Sequence, residues 1–544
     1  MKARELIFAL VMVCTTATAE AKIKEVTYSK SAITAQRHEV VDIKFKSSQK
    51  VSTPFEVGFT ATFTSPSGAT QIVPAFFNGG SEWVVRFSSG EAGEWRYTTA
   101  SEIKPLSGKS GKVVVDKAAY LNRKGAICPD SKSPEHLVWS DGAEPYFLLG
   151  FECDFLFALD YHNPSTKRLD SFLDRVAECG FNHIVMNLYA NDVVWKKDPK
   201  LIKEYEVGGD ETIFPFLGSN SNPDHSALNI EFFKRFDRTM EALNDRNLIS
   251  HLMIYVWNKN VAWAKPSSEE DNRYFDYVAK RYQAFPNVVW DISKEALLYG
   301  VIDDNYVSER IERLRKLDSY NRMVTVHDIG YCNRNGDKVD MSSSQNWKLL
   351  VNHEMQNSRQ RNKNKPLLNV EHGGYEECDY EVFCGNYINA EYCLRRNYES
   401  VFAGTYTTYY WQGCSWNVLI DDFDTSTKVS YRPKMEYFKY MSELFTKYPY
   451  HTFKADPKNS NSGFCMTNGE GTYLFYMPKE SYKTATGQIM KLAKKVSFQW
   501  FNTHTGEYTD VNECTQMNIF ANEPHPWHMK SDAVLIMKII EAKK

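Results

Sequence analysis

Between residues 118 and 448 the hydrophobic positions fall into a repeating pattern. A short apolar run ends in polar residues, and a stretch with apolar positions every three to four residues follows it. The pattern is sharpest around residues 287–295, NVVWDISKE, where Val288, Val289, Trp290 and Ile292 form the apolar run and Ser293, Lys294 and Glu295 end it. An amphipathic stretch, EEDNRYFDYVAKRYQAF, precedes this run and is closed by Pro286; another, SERIERLRKL, follows it. Short strands between helices make a parallel α/β fold. The other strands are read at YFLLGFECDFL (first), FNHIVMNLYA (second), LISHLMIYVWN (third), MVTVHD (fifth), VDMSSSQN (sixth), LLNVEH (seventh) and GTYTTYYWQ (eighth), with 287–295 as the fourth. Eight such units in about 330 residues predict a (β/α)8 barrel with insertions.

On either side the rhythm changes to a period of two. Residues 22–117 hold alternating runs such as VVDIKFK, FEVGFTATFTS and WVVRFSS, broken by Pro, Gly and Ser, and read as a β-sandwich. The EAGEW segment within them reads as a tight turn with a core Trp. Residues 449–544 return to strands, FCMTNGEGTYLFYMP, VSFQWFNTHTGEY and AVLIMKII, and predict a small C-terminal β-sandwich domain. The expected architecture is multidomain, with a central (β/α)8 barrel flanked by two β domains.

Strand ends carry the chemistry of such barrels. The fourth predicted strand ends at Glu295 and the seventh, KPLLNVEHGGY, at Glu371. Two carboxylates across a cleft are the equipment of glycoside hydrolysis, one protonating the leaving oxygen and one attacking the anomeric carbon. Taken singly, each Glu reads equally well as a helix cap or a partner for Lys. Other strand-end residues can line the same pocket: Glu152, Asp154, Asn187, Tyr255, Trp257, Lys294, His327, His372, Trp411 and Trp416 form the substrate-binding set, with Tyr189, Asn258, Asp328, Gln345, Asn346 and Gln412 on a wider list. Glu152 and Asp154 alternate on one strand and so face one side. Core packing is an equal alternative for the tryptophans. His353–Glu354 lacks the second His of a zinc-protease helix, and no Cys pair has zinc-ribbon spacing, so neither metal nor cofactor is expected.

Composition adds bounds. The chain has 544 residues, enough for two to four domains, and its 65 basic and 68 acidic residues give no electrostatic reason to expect nucleic acid. Lys2 and Arg4 precede LIFALVMVC and then TTATAEA, which predicts a signal peptide at residues 1–19, cleaved after Ala19, and an exported bacterial protein, periplasmic or secreted. Val13 fits poorly before a lipid-modified Cys14. No later run is long enough to span a membrane. Most remaining cysteines sit in apolar contexts as buried thiols, while Cys378 and Cys384 are close enough to pair in an exported protein.

The barrel segment, opening with HLVWSDGAEPYFLLGFE, resembles the apiosidase-like branch of the retaining (β/α)8 glycoside hydrolases. The first domain, with VVRFSSGEAGEWRY, resembles the β-sandwich known as domain of unknown function 5060, and the tail, with VSFQWFNTHTGEY, is similar to a collagen-binding-type β domain of collagenases. The resemblance implies that Glu295 is the acid/base and Glu371 the nucleophile of a retaining glycoside hydrolase acting on oligosaccharide or polysaccharide fragments of plant origin. One position departs from the pattern. The residue before the acid/base is usually Asn, which binds the sugar 2-hydroxyl, and here it is Lys294. A lysine beside Glu295 is expected to lower its pKa, which is unhelpful for an acid. Competing readings are a non-catalytic carbohydrate-binding protein on a decayed barrel, a polysaccharide lyase or esterase, and matrix adhesion through the tail.

Overall fold

The computed structural model describes residues 23–193, 203–372, 390–422, 434–461, 463–482, 486–515 and 524–543. The leader and the Cys378–Cys384 pair lie outside them.

The barrel strands are β1 (Leu149–Glu152), β2 (His183–Asn187), β3 (Ile249–Val256), β4 (Val288–Lys294), β5 (Val324–His327), β6 (Ser342–Gln345), β7 (Leu367–Glu371) and β8 (Tyr406–Tyr410). They form one parallel sheet in the order β5-β4-β3-β2-β1-β8-β7-β6. The seam between β5 and β6 is bridged by Thr325 Oγ1 and Ser343 Oγ at 2.8 Å. The strands are buried on both faces, which is why most of them read as apolar runs, β6 (SSSQ) being the exception.

The outer layer holds α1 (Lys167–Glu178), α2 (Ile230–Asp245), α3 (Glu269–Tyr282), α4 (Asp304–Leu317), α5 (Ile329–Arg334), α6 (Val351–Arg361), α7 (Ala390–Phe402), α8 (Gln412–Ser415) and α9 (Glu436–Lys447). Four of them start on side-chain caps: Asn229, Ser268, Asp303 and Asp328 accept from Phe232, Asp271, Tyr306 and Tyr331 N–H. The long loop expected between the second strand and its helix contains a two-stranded hairpin, Phe216–Gly218 with Pro223–Leu228. A three-stranded sheet at Ile127–Pro129, Leu137–Trp139 and Pro145–Tyr146 leads into the floor of the barrel.

The N-terminal region packs a four-stranded against a five-stranded sheet. Its strand Glu82–Phe87 serves two cores. Trp83, Val85 and Phe87 fill the sandwich, while Val84 on the opposite face joins the barrel's hydrophobic core. Arg86, on that same outer face, is 1% exposed and lies against α2 and α3. It donates to Asp42 Oδ1 (2.7 Å) and Oδ2 (2.9 Å), to Asp237 Oδ1 (3.3 Å) and Oδ2 (3.0 Å), and to the Arg281 carbonyl (3.0 Å). Trp95 of EAGEW is in the sandwich core. The C-terminal region is a six-stranded antiparallel sheet, whose Asp532 receives Arg395 of α7 at 2.9 Å while Tyr476 stacks on Tyr398 of α7. Among the described residues no helix is long and apolar enough to cross a membrane.

Candidate active site

Glu295 follows β4 immediately and Glu371 ends β7. Glu295 has φ of 59°, in the left-handed region that a residue with a side chain enters at a cost of roughly 1–3 kcal/mol. The two carboxyl groups share one donor: Gln345 Nε2, at the end of β6, lies 2.6 Å from Glu295 Oε1 and 3.1 Å from Glu371 Oε1. Those two oxygens are therefore no farther apart than the two contacts laid end to end, about 5.7 Å.

Lys294 explains why two nearby carboxyls titrate in opposite directions. Asp291 and Lys294 both face the barrel interior although they are three positions apart, because the pairing of β4 with β5 shifts register between them. Lys294 Nζ consequently reaches Glu371 Oε2 (2.7 Å), Glu152 Oε1 (2.6 Å) and Asp154 Oδ2 (3.4 Å). Burial alone would raise Glu371, but Lys294 and His327 outweigh it and bring the carboxyl down to about 2. Glu295 moves up instead, first through burial and then through the charge of Glu371, against the opposing pull of Lys294. The expected depression of Glu295 by its lysine neighbour is present but outweighed. The ammonium is spent on the partners across the barrel.

Around the pair the strand ends carry further charge. Lys259, just past β3, lies 3.0 Å from Asp154 Oδ2 and donates to the Ser415 carbonyl at 3.0 Å. His327 Nε2 lies 3.4 Å from Glu371 Oε2. The Lys294 ammonium sits 5.7 Å from the centre of the Tyr410 ring. Burial holds the Glu152 carboxyl well above the usual carboxylate range against the pull of Lys294. Glu152 Oε2, Asp154 Oδ1, Glu295 Oε2 and both amide atoms of Asn187 are buried without a hydrogen-bond partner among the described residues. Polar atoms left open in this way have hydrogen-bonding capacity for water or a ligand.

The structure brings Glu295, Glu371, Glu152, Asp154, Lys294 and His327 into one cluster, with Asn187 at the neighbouring strand end. The rest of the expected set have partners of their own around this cluster or in the layers behind it. Tyr255 is turned toward the helical layer, its hydroxyl donating to Asp271 Oδ1 at 2.5 Å, and Trp257 stacks on Tyr255. His372 faces Thr407 Oγ1 at 3.2 Å, and burial lowers its pKa to about 3. Trp411 is buried beneath Gly413, where a Cβ would come within 2.6 Å of the indole. Trp416 Nε1 donates to Tyr410 Oη at 2.7 Å. Sequence reasoning missed Lys259, His251 and Asp291. The last two could have been found as polar residues inside apolar strands, LISHLMI and VVWDIS. Among the described residues no group of three or more His, Cys, Asp or Glu is arranged to hold a metal ion.

Barrel and site together define a protein of the glycoside hydrolase type. The chain belongs to the apiosidase-like family: the model of the apiosidase-like catalytic domain matches residues 132–453, and that of a domain of unknown function, DUF5060, matches residues 34–102. No curated protein matches. A Bacteroides vulgatus structure provisionally described as a glycoside hydrolase aligns over 93% of this chain and 100% of its own, with TM-score 0.71 and 17% identity. A glycoside hydrolase family 5 structure from the same species aligns over 76% and 94%, with TM-score 0.54 and 14% identity. At these identities the likeness is one of fold.

Proposed function

We propose that the protein is an exported bacterial retaining glycoside hydrolase that cleaves O-glycosidic bonds in oligosaccharide or polysaccharide fragments of plant origin. The observation that carries this reading is the single Gln345 amide touching both carboxyls. Retaining pairs stand about 5–5.5 Å apart and inverting pairs about 6.5–9.5 Å apart, and the upper limit set by Gln345 on the facing oxygens is short of the latter. Opposite pKa directions assign the roles. Glu371, held ionised by Lys294 and His327, attacks the anomeric carbon; Glu295, kept protonated by burial and by Glu371, gives its proton to the leaving oxygen. The ester on Glu371 is then cleaved by water, which Glu295 deprotonates. The open atoms of Glu152, Asp154 and Asn187 bind sugar hydroxyls. Export rests on the charged and apolar leader alone.

A panel of 4-nitrophenyl glycosides and plant oligosaccharides, followed by proton NMR of the first-formed anomer, tests the reading. The expected result is a product with the substrate's anomeric configuration, and a 2-deoxy-2-fluoro glycoside of the accepted sugar left covalently on the Glu371 peptide. An unsaturated product absorbing in the ultraviolet would replace it with a lyase, and saturable binding with no turnover would replace it with a carbohydrate-binding protein.

A further inference from the structure

Beneath Glu371 the barrel axis holds a column of polar side chains where such barrels carry layers of branched apolar ones. At the floor, Tyr146 lines a cavity of about 400 Å³, and its hydroxyl lies 3.5 Å from His183 Nδ1. His183 Nε2 lies 3.0 Å from His251 Nδ1, and His251 Nε2 lies 2.9 Å from Asp291 Oδ2. Asp291 Oδ1 accepts the His327 backbone N–H at 3.0 Å, and its Oδ2 lies 3.5 Å from His327 Nδ1. His327 Nε2 then faces Glu371. The column passes through β2, β3, β4, β5 and β7 and is buried throughout.

The arrangement fixes the protons. His327 Nδ1 lies 3.5 Å from Asp291 Oδ2 and Nε2 lies 3.4 Å from Glu371 Oε2, at ion-pair rather than hydrogen-bond geometry, and two flanking carboxylates favour the doubly protonated ring. Asp291 Oδ2 also takes the Nε2–H of His251. His251 Nδ1 is then free to accept the Nε2–H of His183, whose own Nδ1 is left facing the Tyr146 hydroxyl. We propose that His327 is a fixed imidazolium, held by Asp291 and the His251–His183 column below it, that positions Glu371 and keeps it ionised. It is a positioning residue, and the role given to Glu371 rests on the hydrolase reading above. Burial alone would lower the His327 pKa, but the flanking carboxylates of Asp291 and Glu371 lift it to about 10 against the opposing charge of Lys294. Asp291 is brought down to about 2 by His251 and His327 against its burial. The other ionisable groups reaching the head of the column do so through Glu371: Lys294 with Glu152 and Asp154 behind it, and Glu295 through Gln345. When the ester forms and Glu371 loses its charge, Asp291 still holds the imidazolium, so the same geometry is waiting when the carboxylate is released.

The test is NMR of the full chain labelled at histidine Cε1, titrated from pH 5 to pH 10, with His327→Gln identifying the resonance. The expected His327 signal keeps its imidazolium position past pH 8, and in Asp291→Asn its midpoint falls by about one unit or more. A His327 signal that is neutral at pH 7, or a midpoint unmoved by Asp291→Asn, overturns the proposal. The wild-type titration decides the charge state even if the Asp291 variant does not fold, and His251→Gln provides a milder change to the same column. None of these readouts needs turnover, so they stand if no glycoside is cleaved. Given a substrate, Asp291→Asn lowers kcat on the order of tenfold with little change in KM and moves the acid limb of the rate profile upward. An unmoved acid limb at equal stability also overturns it.

Discussion

Two of the buried charge clusters in this protein are finished differently. Where sandwich meets barrel, all five N–H groups of Arg86 are used, and Asp237 receives Arg281 as well, at 2.9 and 2.6 Å. The guanidinium groups of Arg86 and Arg281 lie over the Phe76 ring, and no polar atom of Asp42, Arg86, Asp237 or Arg281 is left open. At the strand ends two ammonium groups, Lys294 and Lys259, face three carboxyls, yet Glu152 and Asp154 each keep an unpartnered oxygen beside the wholly unpartnered amide of Asn187. Burial and charge are alike in the two places. What separates a joint from a site is that one saturates its hydrogen-bonding capacity and the other holds some in reserve for a partner that comes and goes.

The sharpest way to separate the two clusters is to remove one member of each. Glu371→Gln is expected to lower kcat by about 10⁴-fold or more while leaving the melting temperature nearly unchanged, since Lys294 keeps two carboxyl partners; rate assays and calorimetry check both halves. Asp237→Ala, which takes the carboxylate partner from buried Arg281 and one of two from Arg86, should do the reverse. Unfolding free energy falls by about 3–5 kcal/mol in denaturant titration, and the folded fraction keeps its specific activity. If that variant is stable and inactive, the joint and the site are coupled and the contrast fails.

Smaller effects refine the contrast. Lys294→Asn restores the usual residue and removes the cation nearest Glu371, so the acid limb of kcat/KM should rise by about one unit or more. A limb that stays in place would mean His327 alone holds Glu371 ionised. Smallest is a pH effect on stability. His327 is raised to about 10 in the folded protein from an ordinary value near 6.5, so its contribution is fully present below about pH 6.5 and lost as the pH rises through 10. The wild-type melting temperature should accordingly drop more between pH 7 and pH 10 than that of His327→Gln, as thermal melts across that range would report.

The barrel was legible because parallel strands buried on both faces write apolar runs into the chain, and their polar ends mark where chemistry sits. Glu295 and Glu371 stood out for that reason. Alternation from His251 would aim Tyr255 inward, whereas its hydroxyl meets Asp271 of α3. The work of Lys294 was misread because adjacency along the chain suggested Glu295, whereas the shifted register sends the ammonium across the barrel. Lys259, in the loop segment WNKN, looks like a solvated lysine. Only the closed sheet reveals that Asp154 and the Ser415 carbonyl bury it.

The strand Glu82–Phe87 puts alternate residues into two different cores, and this bears on heredity. A sequence family bounded at residue 102 and another beginning at residue 132 look like interchangeable parts. A transplanted barrel would nevertheless arrive with Asp237 and Arg281 bare of Arg86 and Asp42, and with the face that Val84 and Phe76 cover open to water. Recombination at that boundary is penalised in every host that lacks a matching sandwich. The two parts should therefore be found travelling together as one unit of descent.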